Sequence, residues 1–233
     1  KDRIGSGVVA SDAGFAWIPW DIPGDQNWST FGSGTSALTS GAELKIETTA
    51  QYLLSRFMAA GGSYEEATIE CVMRVDSGGT IASDAIKIAI QPRNGSEKID
   101  VTVRFSDTTI RFYDELAAAT IFDLVVPGGT VTPVKLLIRY RVSTGEINAW
   151  AFRDGTDECA ELVSGSGTAT TAASSPITRI MWGHGNPSTA VSYWRYFRMM
   201  DSIRVMGPGI GTYATDGPAG RPVSALPVYV PEI

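Results

Sequence analysis

Two cysteines and one histidine in 233 residues leave few ligands for a metal or a thiol centre. Cys71 and Cys159 each fall within a predicted strand and outside any Cys-x-x-Cys or Cys/His cluster, a spacing that argues against zinc. Two buried thiols are the expected state, because a chain of this length does not need a disulfide to hold its core, and the redox compartment stays open. His184 has no second histidine and no Ser or Cys nucleophile elbow to complete a triad. Basic runs are missing as well. The 19 Lys and Arg are outnumbered by 25 Asp and Glu, for a net charge of −6. Nucleic-acid phosphates demand clustered cations, so no nucleic-acid partner is expected. No apolar run reaches the roughly 18 to 20 residues of a membrane helix, so no membrane insertion is expected, and no signal-peptide pattern is present. The chain opens on Lys1, so a segment has been removed upstream or the chain is part of a longer product. Apolar spacing of helical period is also absent over any useful length.

What remains is strand text. With 43% hydrophobic residues and 25 glycines the composition is that of a loop-rich globular protein. Short alternating runs are predicted as strands from Glu43 onward: 43–47, 51–57, 67–75, 85–91, 98–105, 109–113, 120–126, 134–142, 146–153, 159–163, 177–182 and 193–205. Asn94-Gly95 tolerates the positive φ of a type I′ turn and marks a hairpin; Thr144-Gly145 and Asp154-Gly155 do so less forcefully. A meander over 85–113 and another over 134–163 follow. In the second, Leu136, Ile138, Tyr140 and Val142 alternate with Lys135, Leu137, Arg139 and Arg141, the pattern of a sheet with one wet face. A short strand at 15–18 pairs with the last strand.

That last strand reads S-Y-W-R-Y-F-R-M-M-D-S-I-R-V over 192–205. Strict alternation puts Tyr193, Phe197, Ile203 and Val205 on one face and Trp194, Tyr196, Arg198 and Arg204 on the other, with a bulge near Met199 to Asp201 turning Asp201 outward. The Ser, Gly, Thr and Ala run over 164–175 reads as a surface loop. Beyond Val205, Pro and Gly dominate, and 207–233 is expected as an extended arm. Val223, Leu226, Val228, Tyr229 and Val230 give that arm an apolar surface for docking on a neighbouring subunit. The expected organisation is one all-β domain, an antiparallel two-sheet β-sandwich over 1–206, followed by the arm over 207–233.

The strand succession that ends in Ile180-Met181-Trp182-Gly183 and then Tyr193-Trp194 to Arg204-Val205 resembles the concanavalin A-like lectin/glucanase superfamily, including laminin-G-like jelly rolls. The resemblance spans 15–205. A fainter one, carried by Asp2-Arg3-Ile4, Gly14-x-Ala16-Trp17 and the Ser/Gly-rich loop, is to minor tail or receptor-binding proteins of tailed bacteriophages. The first implies a jelly roll; the second implies a virion or extracellular setting and a homo-oligomer or larger assembly.

Glycosidases of that superfamily carry two carboxylates on one strand, because retaining chemistry needs an acid and a nucleophile about 5 to 5.5 Å apart. Their E-x-D-x-x-E run is missing here. So are the R-x-E-x-R, Gln-x-His and Tyr-Phe-Lys patterns of jelly-roll lyases. The acidic groups Glu65-Glu66 with Glu70, Asp114-Glu115, and Asp157-Glu158 with Glu161 read as solvated turns or strand edges. No catalytic residue is therefore assigned.

Sugar sites on β-sandwiches pair an aromatic platform with planar polar side chains. Two places offer the mixture: Trp194, Tyr196 and Arg198 with neighbouring Trp150 and Arg153, and the loop of Trp182, His184 and Asn186. Each also reads more plainly, the tryptophans as core and His184 as a loop histidine beside glycines. Some relatives hold calcium on loop Asp and Asn oxygens, but 21–27 and 154–158 lack an ordered ligand spacing, and no cofactor is assigned. The expected function is a non-catalytic lectin-like module for a glycan or cell-surface polysaccharide. A polysaccharide-degrading enzyme with acids from separate strands and a purely structural capsid or tail decoration are the alternatives.

Overall fold

Side-chain burial follows the period of a strand. The computed structural model describes residues 15–17, 28–40, 43–57, 66–77, 80–81, 85–92, 101–153, 161–170, 177–186 and 189–200. Leu136, Ile138, Tyr140 and Val142 lie in the core, while Lys135, Arg139 and Arg141 point outward from the same strand.

Among the described residues there are fifteen strands and no helix: β1 (Phe15–Trp17), β2 (Ser29–Phe31), β3 (Ser36–Leu38), β4 (Leu44–Glu47), β5 (Tyr52–Phe57), β6 (Glu66–Ser77), β7 (Ile86–Pro92), β8 (Val101–Phe105), β9 (Thr109–Asp114), β10 (Ala119–Val125), β11 (Val134–Arg141), β12 (Glu146–Arg153), β13 (Glu161–Thr168), β14 (Ile177–His184) and β15 (Val191–Met200). Sheet A has the order β13-β12-β11-β6-β15-β4-β3, with β1 also paired to β15, and sheet B the order β10-β9-β8-β7-β14-β5-β2. All pairings are antiparallel. The predicted meanders are present as β7-β8-β9 and β11-β12-β13, and the N-terminal strand pairs with the last one as expected.

The core lies between the inner faces of the two sheets. Its aromatic centre is Trp28, Trp182, Trp194 and Phe197, with Trp182 stacked on Phe197 at 5.3 Å and tilted against Trp194 at 4.9 Å. Trp28 meets Trp182 and Phe197 edge-on. Such edge-to-face and offset pairs add about 0.5–1.5 kcal/mol each beyond their buried area. Near the end of β14, Gly183 has φ +127°, and a Cβ there would lie 2.5 Å from the carbonyl oxygen of Tyr52, so only glycine fits.

Two expectations are corrected. Residues 164–168 are not a loop; they continue β13 as the edge strand of sheet A. A Cβ on Gly165 would sit 2.8 Å from Leu124, and one on Gly167 would sit 2.5 Å from Ile121, both on β10. The small residues let the edges of the two sheets close on each other, while Ser164, Ser166 and Thr168 face solvent. The second correction concerns β15. Its bulge falls between Trp194 and Tyr196, where the pairing with β6 slips from Met73 to Val72. The extra residue reverses the alternation, so Trp194 shares the inward face with Phe197 and Met199, all fully buried. The expected arm, with Val223, Leu226, Val228, Tyr229 and Val230, lies outside the described residues, as do residues 201–206, the turns at 94–95 and 154–155, and Cys159. Cys71 is a free, buried thiol.

Candidate functional site

The bulge in β15 separates the candidate residues into two sets. Trp182 and Trp194 are inside the core with no exposed surface, so their rings are not offered to a ligand. His184 is a strand residue at the end of β14, also fully buried, and not a loop histidine. Its Nε2 lies 2.9 Å from Ser192 Oγ, and Trp194 Nε1 donates to the same oxygen at 3.0 Å. Its Nδ1 has no hydrogen-bond partner. Burial alone pulls the His184 pKa down to about 4. Asn186, just past β14, is exposed, so the expected Trp182, His184 and Asn186 cluster does not assemble.

Tyr196, Arg198 and Trp150 all lie on the outer face of sheet A. Antiparallel pairing places residues of different strands in transverse rows. One row runs Trp150, Leu137, Glu70, Arg198 across β12, β11, β6 and β15. The next runs Phe152, Lys135, Val72, Tyr196. With strands about 4.8 Å apart, Trp150 and Arg198 stand about 14 Å from each other on one surface. Arg153, the other basic neighbour, instead ties down the 127–132 loop through the carbonyls of Pro127, Gly129 and Thr132.

Glu70 organises this surface. It was expected at a solvated strand edge and is instead fully buried in the centre of sheet A. Its Oε1 accepts from Lys135 Nζ at 2.9 Å and from the Tyr196 hydroxyl at 2.5 Å. Its Oε2 accepts from Arg198 Nε at 3.0 Å and Nη2 at 2.6 Å. Burial and the adjoining carboxylate push the Tyr196 hydroxyl well above its ordinary pKa, so it stays a neutral donor. Further along β11 and β12, a shallow surface depression is lined by Arg139, Tyr140, Arg141, Glu146 and Asn148. Asn148 Nδ2 and Arg141 Nη1 both donate to Glu146, and Arg141 Nε donates to Glu66 at 2.6 Å. Further along the face, Arg74 stacks on Tyr193 at 3.5 Å, and both Arg74 and Arg195 pair with Glu43. An aromatic ring thus stands beside fixed planar polar groups on a partly exposed surface.

Solved structures with this arrangement of strands are numerous. The Lotus tetragonolobus seed lectin is 9% identical, with a TM-score of 0.53, over 83% of this chain and 100% of that one. The exoplasmic/lumenal domain of VIP36, in a form with Ca2+ and Man2 bound, is 8% identical with a TM-score of 0.52, over 84% and 90%. The cellulose-induced protein Cip1 is 10% identical with a TM-score of 0.54, over 77% and 94%. The fold is the concanavalin A-like sandwich. No protein-family model matches the chain, and no curated protein matches it.

Among the described residues, several acidic side chains of the two sheets are paired with cations. Glu43, Glu66 and Glu70 are held as described, Arg104 holds Glu115, and Arg111 holds Asp123 in a two-point fork. Asp114 is occupied by the backbone N–H groups of Leu116, Ala117 and Thr170. Among the described residues no three His, Cys, Asp or Glu gather into a metal site; 21–27 and 154–158 lie outside them. Sequence reasoning missed Glu70 and Lys135 as parts of the site. Lys135 was legible as an outward residue of β11, but its meeting with Arg198 depends on strand order.

Proposed function

We propose that the chain is a non-catalytic, lectin-like module that binds a glycan or cell-surface polysaccharide through the outer face of sheet A. The observation that carries this reading is the placement of Trp150, Tyr196 and Arg198 in adjacent rows around the immobilised Glu70. Trp150 supplies a face for the C–H side of a pyranose, and Arg198, Lys135 and Asn148 supply donors for its oxygens. Structures of the same fold support it: UEA-II was solved in complex with galactose and VIP36 in mannose-bound forms. The role we assign is adhesion, on a virion or outside a cell, in a homo-oligomer or larger assembly reached through the arm at 223–230. Among the described residues, Glu43, Glu66, Glu70, Glu115 and Asp123 are each held by a cation, which favours binding over acid–base hydrolysis at these positions.

A glycan array run with and without calcium, with cleavage of the same glycans assayed in parallel, tests this. Saturable binding without cleavage, lost in Trp150→Ala at unchanged thermal stability, is the expected result. Cleavage abolished by replacing one glutamate would transfer the chain to the enzymes. Silence in both assays would transfer it to structural virion proteins.

A further inference from the structure

The Glu70 cluster holds one cation more than its carboxylate needs. Lys135 and Arg198 flank the single negative charge of Glu70, leaving a local charge of +1 on a chain whose net charge is −6. Glu70 is fully buried, and its two oxygens already accept from four N–H and O–H groups. Its lone pairs are therefore spent, while the donors are not. Lys135 uses one of its three N–H groups on Glu70, and Arg198 uses two of its five. The Arg198 side chain is 33% exposed and that of Lys135 12%. Neutralising the charge of Glu70 alone would need one cation. Two cations on either side of a buried carboxylate form a positively charged clamp with donors to spare, partly exposed at Arg198.

We infer that Lys135 and Arg198 bind an anionic group, a carboxylate or sulfate, carried by an acidic oligosaccharide. This rests on the glycan-binding reading above and names its ligand class. Arginine recognises such groups with two parallel N–H bonds, and here Glu70 fixes the guanidinium, which also lies 5.3 Å from the Tyr196 ring, before the ligand arrives. Trp150 lies in the same transverse row as Arg198, about 14 Å away, so stacking and charge recognition fall on different sugars of one chain. The ligand is accordingly an oligomer lying across the strands.

The test compares each polymer with its uncharged form: homogalacturonan against its fully methyl-esterified form, and dextran sulfate against dextran. Binding to the intact chain is measured at low and high salt. At least one acidic polymer is expected to bind about ten-fold or more tightly than its neutral counterpart, and to weaken as salt rises. Which of the two binds distinguishes a uronate from a sulfate ligand. Arg198→Gln removes the advantage of the acidic form. Because it also strips Glu70 of two hydrogen bonds, Arg198→Lys is run beside it; that variant keeps the charge, loses the fork and should show an intermediate advantage. Equal, Trp150-dependent binding of acidic and neutral polymers would overturn the anionic clamp and leave the glycan-binding reading standing. Absence of binding to these four polymers and to the array would overturn both.

Discussion

His184 gives the sharpest handle on this core. Neutral imidazole satisfies the site: Nε2 exchanges one hydrogen bond with the Ser192 hydroxyl, whose oxygen already accepts from Trp194 Nε1. Adding a proton puts a second N–H on the ring and aims it into an apolar region where Nδ1 has no partner. The inward residues packed around it, Tyr52 on β5, Ile86 on β7 and Ser192 and Trp194 on β15, bring no carboxylate. The folded protein therefore resists protonation, with a pKa of about 4 against 6.5 in the unfolded chain. Between those values the unfolded state takes up a proton that the folded state refuses, so stability is lost as pH falls from 6.5 towards 4. About 2.5 units at 1.36 kcal/mol each comes to roughly 3 kcal/mol, a large share of the 5–15 kcal/mol of an ordinary domain.

Other groups titrate in the same range, so the effect is read as a difference between the natural chain and His184→Gln. Urea unfolding of both, at steps from pH 7.5 to 3.5, should give a stability difference that is flat above pH 6.5. It then moves by about 3 kcal/mol against the natural chain and levels off near pH 4. As the chain has one histidine, its imidazole proton resonance reports the folded pKa without assignment. Parallel stability profiles, or an imidazole titrating near 6.5 in the folded state, would refute the reasoning.

Replacing Glu70 by Ala should cost about 3–5 kcal/mol in urea unfolding, since Lys135 and Arg198 would keep their charges over a buried gap; a loss under 1 kcal/mol would show that the cluster is fully hydrated. Gly167→Ala should destabilise by about 1–3 kcal/mol, because its Cβ would be driven to 2.5 Å from Ile121 across the closing edge; Ser166→Ala, facing solvent one residue away, should be near neutral. Burial and the neighbouring Glu70 push the Cys71 thiol well above its usual pKa. Peptide mapping after treatment of the native protein with a thiol reagent should therefore find Cys71 unmodified until urea unfolds the chain.

Much of the sandwich is legible in the sequence because period-2 burial is a local property. Along β11 and the residue after it, every second residue from Leu136 to Val142 is apolar, and each of these is buried. Two failures have identifiable causes. In β13 the composition was polar and small, and a strand was hidden because its inward residues are glycines chosen for the close approach of β10. In β15 one inserted residue reversed the faces, and the sequence does carry the trace of it. Trp194, Phe197 and Met199 are spaced three and then two apart, a sequence of intervals that one bulge at Arg195 reconciles with a single buried face.

The site was less legible than the fold, for a different reason. Glu70, Lys135 and Arg198 come from three strands, and nothing near Glu70 in the chain distinguishes it from the solvated glutamates at other strand positions. Its role follows only from strand order: β6 lies between β11 and β15, so Glu70 has a neighbour on each side, and the register puts Arg198 opposite it while Lys135 reaches it from the adjacent row. A central strand also lacks the water that screens a charge at an edge, which is why a carboxylate there must be satisfied by fixed donors. Among the described residues, the flanking strands do this with two cations. A carboxylate with that much positive charge around it is neutralised in excess, and that excess is what the proposed anionic ligand would meet.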